Sequence, residues 1–321
     1  MEASIIIPTY DRSEMLRNCL LALSNQTQPP GDFEVIVVVD GSTDGTLEML
    51  ASLEMPFHLR VIQQPNSGQP AAMNRGAAES KGRISIFLDD DIIVVPQFVA
   101  EHLRLHQTAE QVVGVGQLTL TLPASADWFA RGFATGWSAH YDELNHGKRE
   151  PDWDDCYGGN MSVSRVIFMA VEGNATDLRR GYDVELAYRL KQYGCFFKYL
   201  PDAIGTQFER KGFRELSADS EFAGEASVEL VRRYPAAETR LFGDFQKTRR
   251  SWFVLWRLLE MTNVSAQGIE HLQQMAGKQG NSFNWFAFFS SYYFWKGVRR
   301  AAPERTAWKQ KLLIKKRGNL A

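Results

Sequence analysis

Ile84-Ser-Ile-Phe-Leu-Asp89-Asp90-Asp91-Ile-Ile-Val-Val-Pro96 is the stretch on which the fold turns. A β-branched, apolar run enters three consecutive carboxylates and leaves through more apolar residues to a proline. A buried strand does not hold unpaired acids in its interior, because each such charge costs several kcal/mol. The acids therefore belong at the C-terminal end of a strand, the edge at which open α/β sheets bind ligands. Successive strand residues point to opposite faces, so Asp89 and Asp91 are expected on one side and Asp90 on the other. A divalent cation, whose oxygen ligands often include a substrate phosphate, would relieve three adjacent negative charges. An acidic turn between two strands is the alternative reading.

Upstream, the chain alternates between strand and helix. Ser4–Ile7 reads as a short buried strand ended by Pro8, followed by Thr9-Tyr10-Asp11-Arg12-Ser13. Met15, Leu16, Cys19, Leu20 and Leu23 then recur at helical spacing, with Ser13 or Asp11 as cap. Phe33–Val39 is a continuous apolar strand that ends at Asp40-Gly41-Ser42-Thr43-Asp44-Gly45, and Thr46–Leu53 is the next helix. Leu59–Gln63 is a third strand, Asn66-Ser-Gly68-Gln-Pro70 a loop, and Ala71–Ser80 an alanine-rich helix closed by Lys81-Gly82. Strands alternating with helices across short loops argue for a parallel sheet wrapped by helices.

Downstream the pattern is less regular. Gln97–His106 is expected as a helix, Val112–Leu122 as a strand, and Ala124–Glu150 as an aromatic, loop-rich segment. His102 and His106 lie four apart and read as a solvated helix face; none of the six histidines has metal-ligand spacing. Cys156–Arg165 is a turn entering a strand that Val166–Val171 continues into Gly173, and Tyr182–Tyr193 an amphipathic helix closed by Gly194. Cys195–Leu200 is a strand ending at Pro201-Asp202, and from about Glu215 helices replace the alternation.

Composition is that of a globular chain: 321 residues, 44% hydrophobic and 23% charged. The net charge of −2 hides an asymmetry, because residues 245–321 carry fourteen Lys or Arg against three acids. Three cysteines without a CxxC pair point to a reducing compartment. No basic-then-apolar leader and no spanning apolar run is read, so a cytoplasmic location is expected.

The loops Pro8–Arg12, Asp40–Thr46, Asn66–Ala78 and Asp89–Asp91 fall in series at strand ends. Together they resemble the nucleotide-sugar half of family 2 glycosyltransferases, inverting enzymes with the GT-A fold, over roughly residues 4–210. The resemblance implies an α/β, Rossmann-like and mostly parallel sheet flanked by helices. The nucleotide-sugar half would span about 1–105, the acceptor half about 106–215, and a helical extension 216–321. Pro8, Thr9, Tyr10 and Asp11 match the first nucleotide-contacting loop, where an aromatic ring beside a carboxylate suits a pyrimidine base. Asp40 matches the second acid of the family's Asp-Asp-Gly-Ser motif, although Val39 stands for the first. Asn66, Gly68, Asn74 and Arg75 match the segment under the ribose and diphosphate, and Arg75 reads as either a phosphate ligand or a solvated helix charge. Asp89-Asp90-Asp91 matches the Asp-X-Asp motif, which implies Asp91 as an Mn²⁺ or Mg²⁺ ligand, Asp89 near ribose or metal, and Asp90 alongside.

For the acceptor half, Gly159 and Asn160 resemble the loop lining the acceptor and donor-sugar pocket. Asp183 matches the general base of the Glu-Asp-x-Asp/Glu-Leu motif, with Tyr182 in place of the usual Glu. A helix start stabilises Asp183 as an anion; a structural N-cap is the plainer role. Gln207 stands where many relatives have a metal-binding histidine, a poor substitute that implies weaker metal binding. The implied partners are a nucleotide sugar, UDP-linked by expectation, and a glycan or lipid-linked acceptor. A non-catalytic nucleotide-sugar binder is the rival reading. A sugar-nucleotide pyrophosphorylase would need a Gly-rich basic loop after the first strand, which Pro8-Thr9-Tyr10 is not.

The C-terminal third carries aromatic runs at Trp252–Trp256, Phe283–Phe289 and Tyr292–Trp295. They are followed by Arg299, Arg300, Arg305, Lys309, Lys311, Lys315, Lys316 and Arg317. Such helices suit an anionic membrane surface, which would make the protein peripheral on the inner face of the cell membrane. Packing of these aromatics onto the rest of the protein is the competing expectation. No nucleic-acid module is recognisable.

Overall fold

The structure is a computed structural model that describes residues 1–243, Trp256, Gly268 and residues 282–302. It comprises two compact units, Met1–Thr121 with Trp137–Glu209, and Leu122–Gly136 with Arg210–Ala321. The segment Leu122–Gly136, read from sequence as part of the acceptor half, thus belongs to the second unit.

In the first unit β1 (Ala3–Thr9), α1 (Ser13–Leu23), β2 (Phe33–Asp40), α2 (Thr46–Ala51), β3 (His58–Gln64), α3 (Gln69–Glu79) and β4 (Ile84–Leu88) alternate as expected. Then come β5 (Ile92–Val94), α4 (Phe98–Thr108), β6 (Val112–Thr121), α5 (Trp128–Asn145, of which the residues up to Gly136 belong to the second unit), β7 (Asn160–Ser164), α6 (Arg165–Ala170), α7 (Tyr182–Gln192) and β8 (Phe196–Phe208). The eight strands form one sheet in the order β3-β2-β1-β4-β7-β6-β8-β5. The sheet is mixed: β1, β2, β3 and β4 pair in parallel, as do β6 and β8, while β7 runs antiparallel to β4 and β6 and β5 antiparallel to β8. Every residue of β1, β2 and β4 is buried, which accounts for their mostly apolar composition; buried Glu34 is held by the Ser4 hydroxyl and the Lys81 N–H. The edge strand β3 is largely exposed.

Four local expectations change. First, α1 carries no side-chain cap of its own; the Ser13 N–H instead donates to Asp44 Oδ2 at 2.9 Å, from the loop after β2. Second, residues 128–145 form a helix rather than a loop, although Gly132 and Gly136 disfavour one. A Cβ on Gly132 would lie 2.6 Å from Phe286 Cβ, so the glycine is needed for packing and tertiary contact overrides propensity. Third, Arg165–Ala170 is a short helix. Fourth, β8 does not end at Pro201. Its pairing with β6 slips from Gly116↔Leu200 to Gln117↔Ile204, and this bulge absorbs the proline so that the strand continues to Phe208.

The second unit contains α8 (Phe213–Arg233), α9 (Glu238–Gly243) and α10 (Ser282–Ala301). Its core joins Phe129, Leu216, Val228 and Phe242 to Trp256, Phe288, Phe289, Tyr292, Trp295 and Val298. The two long helices α8 and α10 meet backbone to backbone. A Cβ on Gly224 would sit 2.0 Å from the Phe294 carbonyl oxygen, and one on Gly297 1.9 Å from that of Glu221. Glu221 receives Lys296 at 3.0 Å and Arg300 at 2.7 Å across the same seam. The aromatic residues of α10 expected at a membrane surface are therefore largely spent in this unit's own core, and two of its basic residues on acids of α8. The aromatic run before Trp256 and the basic residues from Arg305 onward lie outside the described residues. Among those described, no helix is long and apolar enough to cross a membrane.

Candidate active site

The register of the sheet assembles the site. Parallel pairing of β1 with β4 puts Ile6 beside Phe87, and three residues on, Thr9 reaches Asp90. The Thr9 hydroxyl donates to Asp90 Oδ2 at 2.7 Å. Antiparallel pairing of β4 with β7 puts Leu88 opposite Asn160, and the Asp89 N–H meets the Gly159 carbonyl at 3.4 Å. The three acids form a tight turn into β5 at the C-terminal end of β4, the place that both readings of the stretch give them. In the turn the strict alternation fails, and Asp90 and Asp91 bind the same guanidinium.

That guanidinium is Arg12, whose importance was not recognised in the sequence. Its Nη1 lies 3.0 Å from Asp90 Oδ1 and 3.2 Å from Asp91 Oδ2. Asp90 is buried, with both oxygens occupied by Thr9 and Arg12, so it anchors the turn rather than facing a nucleotide. Gln207 also reaches Asp91, donating from Nε2 to Oδ2 at 3.1 Å. It does so because β5 pairs Ile92 with Gln207 on the second half of β8, the half that the bulge preserves. Asp91 Oδ1 is buried and has no hydrogen-bond partner. Asp89 accepts from Gln69 Nε2 at 2.7 Å through Oδ1. Burial, with the charges of Asp91, Asp90 and Asp183, pushes the Asp89 carboxyl up to about 7.

The nucleotide-side loops brace one another. Asp11, in the left-handed region at φ 50°, accepts from the Thr43 N–H at 2.7 Å, while its own N–H donates to Ser42 Oγ at 3.0 Å. Buried Asp40 accepts from Gln64 Nε2 at 2.7 Å, the Ser67 N–H at 2.8 Å and the Gly68 N–H at 2.8 Å. It thereby holds the Asn66–Gly68 loop. Gly41 is required there: it has φ 82°, and a Cβ would lie 2.8 Å from the Asn66 nitrogen. Tyr10, at the end of β1 beyond buried Pro8, is 50% exposed and presents its ring to solvent. Two candidates are engaged elsewhere. Asn74 exchanges hydrogen bonds with Asn174, and Arg75 pairs with Glu79 one turn along α3, the solvated-helix reading of that residue.

Asp183 lies in the first turn of α7, which starts after Gly181 at φ 72°. Its Oδ2 accepts from the Gly158 N–H at 3.2 Å and its Oδ1 from the Val184 N–H at 2.9 Å. Burial raises its pKa above the usual carboxylate range, against the lowering effect of those two N–H groups. Gly158 thus touches Asp183 while Gly159 touches Asp89. Glycine is needed at the second position, because a Cβ would sit 2.6 Å from Asp89 Oδ2. Tyr182 is almost fully buried near both acids; burial and the charges of Asp89 and Asp183 raise its pKa well above normal.

Asn160 is a correction. Its side chain is inside the sheet, 1% exposed, donating to the carbonyls of Gln117 at 3.0 Å and Ala203 at 2.9 Å. Its Oδ1 meets His102 Nε2 at 3.0 Å, so its amide is saturated by protein and lines no pocket. The histidines are a second correction. His102 Nδ1 and His106 Nε2 converge on Ser162 Oγ at 2.8 and 2.9 Å, and both rings are buried rather than solvated. Apolar neighbours at three- and four-residue spacing would have been the signal, since Phe98, Val99 and Leu103 share that buried face.

The residues present suit a divalent cation in part. Among the described residues no group of three His, Cys, Asp or Glu side chains is arranged to hold one. Yet an unpartnered, buried carboxylate oxygen on Asp91, beside Asp89, whose carboxyl burial and acidic neighbours push up to about 7 so that a cation's positive charge would favour its ionised form, is the donor chemistry a hard cation takes. Asp91 and Asp89 fit such an ion if substrate or water completes the shell. Gln207 contributes by holding Asp91 through its amide N–H.

A mixed α/β sheet flanked by helices, with an acid turn after β4 and a buried carboxylate at the start of α7, is the architecture of a GT-A glycosyltransferase. The Glycosyl transferase family 2 model matches residues 4–171, and the chain belongs to that family. It is 27% identical over 267 residues to validoxylamine A glucosyltransferase of Streptomyces hygroscopicus subsp. limoneus, covering 74% of this chain and 58% of the relative. It is 40% identical to glycosyltransferase YfnE of Bacillus subtilis (strain 168) over 117 residues, 36% of this chain and 30% of the relative. The chain thus spans about a third to three-fifths of these relatives' lengths. The mannosyltransferase PcManGT from Pyrobaculum calidifontis, solved with GDP-Man and Mn²⁺, superposes with a TM-score of 0.65 at 16% identity, over 93% of this chain and 86% of that one. S. aureus TarS 1-349 with UDP-GlcNAc gives 0.56 at 16% identity, over 96% and 92%. These likenesses establish the GT-A fold, and the curated relatives named are glycosyltransferases.

Proposed function

We propose that this glycosyltransferase moves a sugar from a nucleoside-diphosphate sugar to an acceptor hydroxyl with inversion at the anomeric carbon. The observation that carries the reading is the peptide pair Gly158-Gly159, which binds Asp183 on one side and Asp89 on the other. A donor-side acid and a candidate base thereby flank this pair, since a Cβ on Gly159 would meet the Asp89 carboxylate and one on Gly158 the Asp183 side chain. Asp183, with its pKa raised by burial, takes the proton of the acceptor hydroxyl. The acceptor oxygen forms a bond to the anomeric carbon as the bond from that carbon to the diphosphate oxygen breaks, and the electron pair leaves with the nucleoside diphosphate. Tyr10 offers its exposed ring to the base, beside the loop after β3 held by Asp40 and the loop after β2 held by Asp11. Asp91 and Asp89 would hold Mn²⁺ or Mg²⁺, which when bound supplies positive charge to the departing diphosphate. The UDP-GlcNAc complex of TarS and the GDP-Man complex of PcManGT support a nucleotide-sugar donor, and uridine is the base we favour. The acceptor class we favour is a glycan or a lipid-linked glycan.

The test is a transfer assay with a panel of UDP and GDP sugars in the presence of Mn²⁺, with the anomeric configuration of product read by NMR. An inverted linkage from one UDP sugar is the expected result. Retention of configuration would overturn the mechanism. UDP binding without transfer to any acceptor would favour a non-catalytic binder instead.

A further inference from the structure

Two groups converge on the carboxylate of Asp91, and both reach the same oxygen. Arg12 Nη1 and Gln207 Nε2 both bind Oδ2, at 3.2 and 3.1 Å. Oδ1, buried, binds nothing. The same Arg12 nitrogen also holds buried Asp90 at 3.0 Å. Among the described residues, Arg12 is thus the cation paired with two of the three adjacent carboxylates. It is half exposed, so it can be exchanged without unpacking the core. Gln207 anchors the carboxylate without adding charge, whereas an imidazole at that position would bring a further ligand nitrogen.

We propose that Arg12 is a resident counterion of the acid turn, which restrains cation binding until the donor arrives. With Gln207 it fixes Asp91 through Oδ2, leaving Oδ1 as the one oxygen of Asp91 open to a cation. Arg12 and the cation repel one another across Asp91, so the protein alone binds Mn²⁺ weakly. The donor's diphosphate supplies anionic oxygens that accept Arg12 and complete the cation's shell together, so nucleotide and metal bind with positive coupling. Arg12 is in this account a positioning residue. The inference rests on the reading of Asp91 as a cation ligand.

The experiment is a Mn²⁺ titration followed by electron paramagnetic resonance, with and without UDP, on the wild type and on Arg12→Ala, Arg12→Gln, Arg12→Lys and Asp91→Ala. Without UDP, Arg12→Ala and Arg12→Gln are expected to bind Mn²⁺ about tenfold more tightly than wild type, and Arg12→Lys like wild type. The gain in Mn²⁺ affinity on adding UDP is expected to shrink in the two neutral variants. Arg12→Gln keeps a hydrogen-bond donor, so it reads the charge effect should the alanine variant fold poorly. If both neutral variants bind Mn²⁺ no tighter than wild type while Asp91→Ala abolishes binding, the counterion role is overturned and the cation site stands. If Asp91→Ala leaves Mn²⁺ binding with UDP unchanged, the cation site itself is wrong and this inference falls with it.

Discussion

A Cβ placed on Gly159 would lie 2.6 Å from Asp89 Oδ2, so the carboxylate occupies the space that any larger residue would need. The same Cβ would stand 2.9 Å from Ile92 Cδ1, inside the sheet, and has nowhere to retreat. Gly159→Ala is therefore expected to push Asp89 out of the acid turn. Calorimetric affinity for UDP with Mn²⁺ should fall by about tenfold, since a misplaced polar contact is worth ~1–2 kcal/mol. Unchanged affinity would mean that Asp89 does not face the donor.

The Gly224–Gly297 seam in the helical unit predicts a different loss. Gly224→Ala and Gly297→Ala each insert a methyl group against a backbone carbonyl and should cost about 1–3 kcal/mol or more in stability. Gly31→Ala, where nothing lies within 4 Å, serves as the neutral comparison. Thermal melts in which all three variants match would refute the close approach of α8 and α10.

The buried histidine pair predicts an acid limb. Burial pushes His102 down to about 4, and burial, His102 and Arg83 push His106 down to about 3, against an ordinary value of 6.5. The unfolded chain therefore takes up protons first, so the stability these rings contribute is complete above pH 6.5 and is lost as pH falls through about 4 to 3. Asp89, raised to about 7, acts in the opposite sense: its contribution is complete below its ordinary 3.8 and is lost as pH rises through about 7. Comparing wild type with the His102→Gln, His106→Gln double variant separates the two. Between pH 6.5 and 4 the wild-type melting temperature should fall more steeply than that of the variant. Parallel curves would show that the rings titrate normally.

The four ligand loops were legible because strand ends carry their own signals: an apolar run, then Asp, Gly, Asn or Pro where the sheet stops. What those loops bind was less legible. Arg12 sits three residues beyond Thr9 and reads as a helix-start charge; only the β1–β4 register reveals that it faces Asp90 and Asp91. Arg75 looked the better phosphate ligand, yet a glutamate one turn away takes it. Pro201 disguised the second half of β8, because a bulge lets a strand pass a proline that periodicity treats as a stop. Without that half, Gln207 had a position in the family pattern but no neighbour. Asn160 in β7 and the histidines of α4 were misplaced for one reason: buried polar residues pass for site residues or surface until their hydrogen-bond partners are seen. The helix at 128–145 follows from contacts made around its glycines, which no local window contains.

The account's central claim is that Asp183 removes the acceptor proton while the Asp89–Asp91 turn holds the donor. It is tested most directly by single-turnover transfer and UDP–Mn²⁺ calorimetry on Asp183→Asn. The account predicts transfer slowed about 10²–10⁴-fold, with UDP–Mn²⁺ affinity within about threefold of wild type. Transfer at close to the wild-type rate would contradict it.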